Sequence, residues 1–282
     1  MQTFEHTLTT RDGVVLRVYD WRPDSTLRGV VVATHGHGEY GLKYTHVAQA
    51  ITEGGYGWWG YDLRGHGYSG GPRGHVPRYA AYLSDLQQVL NLARATHPGL
   101  PVFLYGHSLG GQITLYYLLE RQPQISGLVR GAILSAPWLV LAFQPPAWKV
   151  WLARAMANLA PTFTQETGLR DAIPMTHDSA LLNAYPQPQL RHSWMSARLG
   201  MEALAAGELA LERAGELNLP VLILHGEQDG VFAFEVSQTL YNRARSTDKT
   251  LLIYPGYYHE IHNELGRAQV FADMRQWLDR RA

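Results

Sequence analysis

Gly106-His107-Ser108-Leu109-Gly110 is the stretch of this sequence with the most chemistry in it. It follows the apolar run "PVFLY" and leads into "GQITLYYLLE", which predicts strand, tight turn and helix in that order. A serine at the tip of such a turn needs a strained backbone. Side chains two residues before and two after it would collide with the adjoining strand and helix, which explains Gly106 and Gly110. Ser108 would then sit at a helix N-terminus, where unpaired N–H groups favour a developing negative charge. Serine attacks an acyl carbon only if a base takes its proton, and that base must be held in one tautomer by an acid. Downstream, "PVLILHGEQDG" offers Asp229, with Glu227 as a rival. Further on, "TLLIYPGYYHEIHNE" offers His259, with His262 as a rival. Taken alone, the Asp-Gly pair at Asp229 reads by default as a solvated turn carboxylate. H-E-I-H lacks the i, i+4 histidine pair of a zinc helix.

A second constellation is His35-Gly36-His37-Gly38-Glu39, at the end of "GVVVAT". Two histidines one residue apart can begin an H-x-H-x-D-H metal site. Glu39 and Tyr40 stand where Asp and His would complete it, so that ligand set is short. The other reading is a glycine-rich turn leaving a strand, whose backbone N–H groups bind an oxyanion and in which His37 matters for its N–H.

The elements that must position these residues follow from periodicity. Short apolar runs at 6–10, 14–21, 29–35, 55–62, 101–106, 130–137, 220–226 and 250–256 read as strands. The first two alternate and predict an antiparallel hairpin around Asp12-Gly13. The later ones are solidly apolar, as strands covered on both faces are. Helical patterns lie at 43–55, 77–99 and 108–123, the last ending before Pro123. This alternation predicts a mostly parallel sheet with helices on both faces. The interval from Asp229 to His259 has room for one helix and one strand, which would bring two adjacent strand ends together.

The alternation fails between Pro137 and Asn218, far more chain than one crossover needs. Residues 1–136 and 219–282 are therefore expected to form the core, with 137–218 an inserted helical cap and return to the core. Within the insertion, Trp148, Trp151, Leu152, Ala155 and Leu159 mark one apolar stripe of a helix. Such a stripe either packs on its own domain or covers a pocket. The uncharged run 131–148 is broken by Pro137, Pro145 and Pro146, and reads as a buried strand and loop rather than a membrane span.

The bulk numbers narrow the function class. The chain has 282 residues, 46% of them hydrophobic, enough for a sizeable core. Lys+Arg and Asp+Glu are both 24, so charge gives no reason to expect nucleic acid as a partner. There is no Cys, which excludes disulfides, a thiolate nucleophile and Cys-ligated metals. The N-terminus has no basic or apolar signal region, and the chain is expected to fold in a reducing cytoplasm.

The residues quoted so far resemble the monoacylglycerol lipase family of serine α/β-hydrolases, with its lysophospholipase relatives. "HGHGEY" is similar to the family's H-G-x-G-E-H, "YDLRGHGYSGG" to its G-H-G-x-S loop, and "YGHSLGG" to its nucleophile elbow. "LHGEQDGV" and "DKTLLIYPGYYHEIHNE" resemble its acid and histidine segments. The likeness covers nearly the whole chain outside the insertion. It implies an α/β-hydrolase fold with a mostly parallel eight-stranded sheet flanked by helices. It also implies Ser108 as nucleophile, Asp229 as orienting acid and His259 as general base. The implied oxyanion donors are the N–H groups of His37 and Leu109. The implied headgroup contacts are Glu39 and His262, with Lys43 nearby. The implied substrate is a monoacylglycerol, with a lysophospholipid or short-chain ester as the alternative. No metal or cofactor is required, and the cap is expected to touch membranes peripherally. A serine peptidase, or a non-catalytic receptor for a small apolar ligand, shares the same fold. One position departs from the family pattern: Tyr40 stands where the second loop histidine is expected, and a phenol cannot gain a positive charge as imidazole does.

Overall fold

The computed structural model describes residues 1–125, 127–185 and 187–282, and within them every side chain but those at 123, 170, 171, 182 and 183. Strands β1 (Gln2–Thr9) and β2 (Val15–Arg22) form an antiparallel hairpin over a turn in which Gly13 takes φ +84°. The chain continues through β3 (Gly29–Thr34), helix α1 (Thr45–Glu53), β4 (Tyr56–Tyr61), α2 (Tyr79–Thr96), β5 (Val102–His107), α3 (Leu109–Ile125) and β6 (Gly131–Ser135). The 137–218 stretch carries α4 (Ala147–Leu159), β7 (Thr164–Glu166), α5 (Leu169–Ala172), α6 (Ser179–Ala184), β8 (Trp194–Ser196) and α7 (Ala197–Glu212). Then come β9 (Val221–Gly226), α8 (Phe234–Arg243), β10 (Lys249–Tyr254) and α9 (Arg267–Asp279).

All eight expected strands join one sheet, in the order β1-β2-β4-β3-β5-β6-β9-β10. It is antiparallel at β1-β2-β4 and parallel from there on. β3, β5, β6 and β9 are buried at every position, which is why they read as unbroken apolar runs. Two apolar clusters flank the sheet. One holds Leu86, Val89, Leu118 and Leu240 from α2, α3 and α8. The other holds Val47, Ile51, Val270 and Met274 from α1 and α9.

Register decides where function goes. Thr34 pairs with Gly106, His107 with Ser135, and Gly226 with Tyr254. The parallel strands therefore end at one level, and the turns after β3, β4, β5, β6, β9 and β10 open on the same edge, where ligands of open α/β sheets bind.

Two expectations change. The helix expected to stop before Pro123 runs on to Ile125. Proline has no N–H for the Leu119 carbonyl, and the Arg213 guanidinium donates to that carbonyl instead, at 3.3 Å. The apolar stripe of α4 does not cover a pocket. Trp148 is 63% exposed, Trp151 71% and Leu159 83%, whereas Ala157 is buried. The stripe faces outward, and α4 leans on α7 by its other side. α7 itself belongs to the main core. Leu199, Ala203, Ala206 and Ala210 are buried at helical spacing, and Ser196 caps its start by accepting the Leu199 N–H. Within the insertion, β7 and β8 also pair as a short antiparallel ribbon.

Candidate active site

Ser108 sits between β5 and α3 at φ 56°, a left-handed conformation that costs a non-glycine residue energy. What forces it there is lack of space. A Cβ on Gly106 would lie 2.2 Å from the Gly110 carbonyl oxygen, and one on Gly110 would lie 2.1 Å from that of Thr34. The turn is then locked from β6: Ser108 donates its N–H to Ser135 O at 2.9 Å and accepts from Trp138 N–H at 3.0 Å. Leu109 is the first residue of α3, so its N–H has no carbonyl within the helix to bond.

Asp229 and His259 follow β9 and β10, and the parallel register brings them together. His259 Nδ1 is 2.7 Å from Asp229 Oδ2. An ionised carboxylate only accepts, so the ring donates from Nδ1 and leaves Nε2 for a second partner. Asp229 Oδ1 accepts the N–H groups of Val231 at 2.8 Å and Phe232 at 3.1 Å. Oδ2 also meets His225 Nε2 at 3.0 Å. Burial alone would raise this carboxyl. The charge of His259 and the hydrogen bonds from His225 and His259 outweigh it, and hold Asp229 well below the usual carboxylate range. The rivals lie elsewhere. Glu227 accepts the Gly256 N–H at 3.2 Å near the surface. His262 is buried, with its ring stacked on Tyr44 at 4.9 Å and edge-on to His107 at 4.6 Å.

The 35–39 loop is held by its own glutamate. Glu39 Oε2 accepts the Gly36 N–H at 2.8 Å and the Tyr44 hydroxyl at 2.6 Å. Its Oε1 pairs with the Lys43 ammonium, which also meets Glu260 at 2.8 Å. His35 Nε2 accepts the Leu63 N–H at 2.9 Å, so Nδ1 carries the proton and donates to Gly36 O at 2.7 Å. Burial pushes this imidazole down to about 4, which keeps it neutral. Both its nitrogens are thus committed to backbone, so His35 has no lone pair left to begin a metal site with His37. The His37 ring packs edge-on against His66 at 5.4 Å and His192 at 5.7 Å.

Ser108, His259, Gly36, His37 and Glu39 share one cavity of about 60 Å³. The 137–218 stretch supplies much of its remaining wall, with Trp138, Leu141, Leu169 and Met175 apolar and Thr167, His192 and Ser193 polar. This wall is tied to the sheet edge. His192 N–H donates to Gly38 O at 3.1 Å, and Glu260 N–H to Met175 O at 2.8 Å.

A family profile described as "Serine aminopeptidase, S33" matches residues 25–266. The chain is 33% identical over 276 residues to a monoacylglycerol lipase of Mycolicibacterium smegmatis, covering 97% of this chain and 96% of that one. It is 30% identical to the human monoglyceride lipase, over 97% of this chain and 90% of that one. The chain belongs to the monoacylglycerol lipase family of serine α/β-hydrolases. Solved structures agree on the fold. The monoacylglycerol lipase of Paleococcus ferrophilus superposes with a TM-score of 0.81 at 26% identity over the full length of both chains. A soluble variant of the Saccharomyces cerevisiae monoglyceride lipase, bound to a substrate analog, gives 0.84 at 26% identity over 98% of this chain and 95% of that one.

Of the three residues that family likeness suggests for headgroup contact, only Glu39 reaches the cavity. Lys43 and His262 are buried behind it and do not line it. Tyr40, at the position where the family expects histidine, is buried away from the cavity as well, and burial pushes its phenol up to about 12. Its hydroxyl therefore stays neutral. Sequence reasoning missed His225, although it is the penultimate residue of the strand leading to Asp229 and stands four residues before it. His192 and Met175 carried no signal at all, because only the tertiary fold brings them to the strand ends.

Proposed function

We propose that this chain is a serine ester hydrolase that releases a fatty acid from a monoacylglycerol through an acyl-enzyme. The observation carrying this reading is the 2.7 Å contact between Asp229 and His259 beside the strained Ser108, with Ser108 and His259 in one cavity. The names of the 33% and 30% identical relatives support it. Ser108 Oγ attacks the ester carbonyl while His259 Nε2 takes its proton. The N–H groups of His37 and Leu109 meet the oxyanion, each contributing about 3–4 kcal/mol. Collapse expels the glycerol oxygen, which takes the proton back from His259. Water, deprotonated by the same ring, then attacks the acyl carbon and frees the fatty acid and Ser108. Asp229 holds His259 in the tautomer that leaves Nε2 facing substrate.

The cavity wall separates this reading from its neighbours. It presents no Lys or Arg among its described residues, so the phosphate of a lysophospholipid finds no cation there. An aminopeptidase needs a free carboxylate for the substrate's amine. Glu39 is the carboxylate in this wall, and its oxygens already take Gly36, Tyr44 and Lys43.

The 137–218 stretch acts as a cap in this reading. About 60 Å³ is well below the ~300–1,000 Å³ of ligand pockets. Substrate entry therefore parts the walls that Leu169, Met175 and His192 supply. No described helix is long and apolar enough to cross a membrane. The outward Trp148, Trp151 and Leu159 suit shallow contact with a lipid surface, from which an acylglycerol would be drawn. Hydrolysis of monoacylglycerols, lysophosphatidylcholines, short-chain esters and aminoacyl amides, compared by kcat/KM, tests the assignment. Monoacylglycerols are expected to turn over fastest, and faster cleavage of any other class overturns it.

A further inference from the structure

His225, the penultimate residue of β9, is buried and does not line the cavity. Its Nε2 lies 3.0 Å from Asp229 Oδ2, the oxygen that His259 Nδ1 reaches at 2.7 Å. Its Nδ1 lies 2.7 Å from the buried Ser237 hydroxyl on α8. The proton positions follow from Asp229. Because an ionised carboxylate can only accept, Nε2 must carry the hydrogen. A neutral ring then has its lone pair on Nδ1, and the Ser237 hydroxyl donates to it.

Asp229 therefore receives four hydrogen bonds, two from backbone on Oδ1 and two from imidazoles on Oδ2. Only one of those imidazoles, His259, also faces the cavity. We propose that His225 is a positioning residue of the hydrolytic site: an imidazole, itself fixed by Ser237, that holds Asp229 Oδ2 and draws off part of the negative charge His259 would otherwise feel. This rests on the reading of Asp229 and His259 given above.

The consequence is electrostatic as well as steric. When His259 takes the Ser108 proton it becomes a cation facing Asp229. A donor on the same oxygen weakens that attraction, so the base stays unprotonated to lower pH than it would without His225. The other titratable ring against His259 is His107 of β5, with ring centroids 4.8 Å apart. Burial pushes His107 down to about 3, so it stays neutral through the working range. Phe232 packs edge-on against His259 and carries no charge.

The test is kcat/KM against pH for a water-soluble ester in His225→Leu, His225→Gln, Ser237→Ala and Asp229→Asn. In His225→Leu the midpoint of the acid limb should move up by about 0.5–1 pH unit, with a plateau about tenfold lower from the lost hydrogen bond. His225→Gln keeps an N–H donor for Asp229 and should return the midpoint most of the way. Ser237→Ala loosens the ring and should move it up by less, which reads the same effect should the leucine variant not fold. A wild-type acid limb in His225→Leu, or in Ser237→Ala with no soluble leucine variant, overturns the role of His225. If Asp229→Asn has lost its rate in that experiment, Asp229 keeps its own role. Full activity in Asp229→Asn instead overturns the reading of Asp229, and this one with it.

Discussion

At Gly110 an added Cβ would lie 2.1 Å from the Thr34 carbonyl oxygen, whereas at Trp151 a whole indole stands 71% exposed. The two positions belong to the two regions that enclose one cavity, the carboxyl edge of the sheet and the 137–218 stretch. Along the sheet edge the backbone dictates the residue. Parallel register puts six turns at one level, and each turn admits only what fits between its neighbours. In the insertion the constraint is uneven: α7 packs into the main core, but along α4 the backbone dictates little. α4 keeps Trp148, Trp151 and Leu159 on a face that no described residue covers.

The same contrast explains what could be read in advance. Ser108 was legible because a strained serine needs glycines at two fixed offsets, and those offsets are visible in sequence. The eight strands were legible because burial on both faces leaves uninterrupted apolar runs. The choice of Asp229 over Glu227 and of His259 over His262 was open on spacing alone, and rested on family likeness. His225 escaped notice because a histidine at a strand end has many uses, and only the return of the chain toward Asp229 selects one. The inward or outward sense of the α4 stripe was illegible for a different reason. Periodicity finds an apolar face but does not say which way the helix lies. Lys43 and His262 illustrate a third limit, since position in a motif does not reveal that a side chain faces the interior.

Substitutions at the two regions should differ in size, and the largest effect is expected at the turn. Gly110→Val forces the backbone apart at Thr34, and should cost about 4 kcal/mol or more, read as loss of soluble protein or collapse of the thermal midpoint. Wild-type stability there would break the claim that geometry alone fixes this edge. Asp229→Asn should keep the fold but lower kcat by about 10⁴, since His259 loses the partner that sets its tautomer. His37 separates backbone from side chain. His37→Pro lacks the N–H and should lose about 10²–10³ in kcat, whereas His37→Ala should retain most activity. An inactive alanine variant would show that the ring, packed against His66 and His192, is needed as well.

The smallest catalytic effect is expected on the outer face of α4. Trp148→Ala with Trp151→Ala should hydrolyse a soluble ester within about twofold of wild type, as surface substitutions do, yet associate less with liposomes on flotation. Equal flotation of variant and wild type would remove the lipid-surface role and leave the exposed stripe unexplained. A large loss on the soluble ester would instead mean that α4 shapes the cavity, erasing the contrast between the regions.

The central claim is that Ser108 is a nucleophile activated by His259. A fluorophosphonate reads this most directly, because it phosphonylates a serine only when that serine is activated. Intact-mass analysis of wild type should show one adduct, mapped by peptide digestion to Ser108. Ser108→Ala should show none, and His259→Ala only slow labelling. An unlabelled but folded wild type, or equal labelling of Ser108→Ala, would contradict the account and leave a hydrolase fold that binds an apolar ligand without cleaving it.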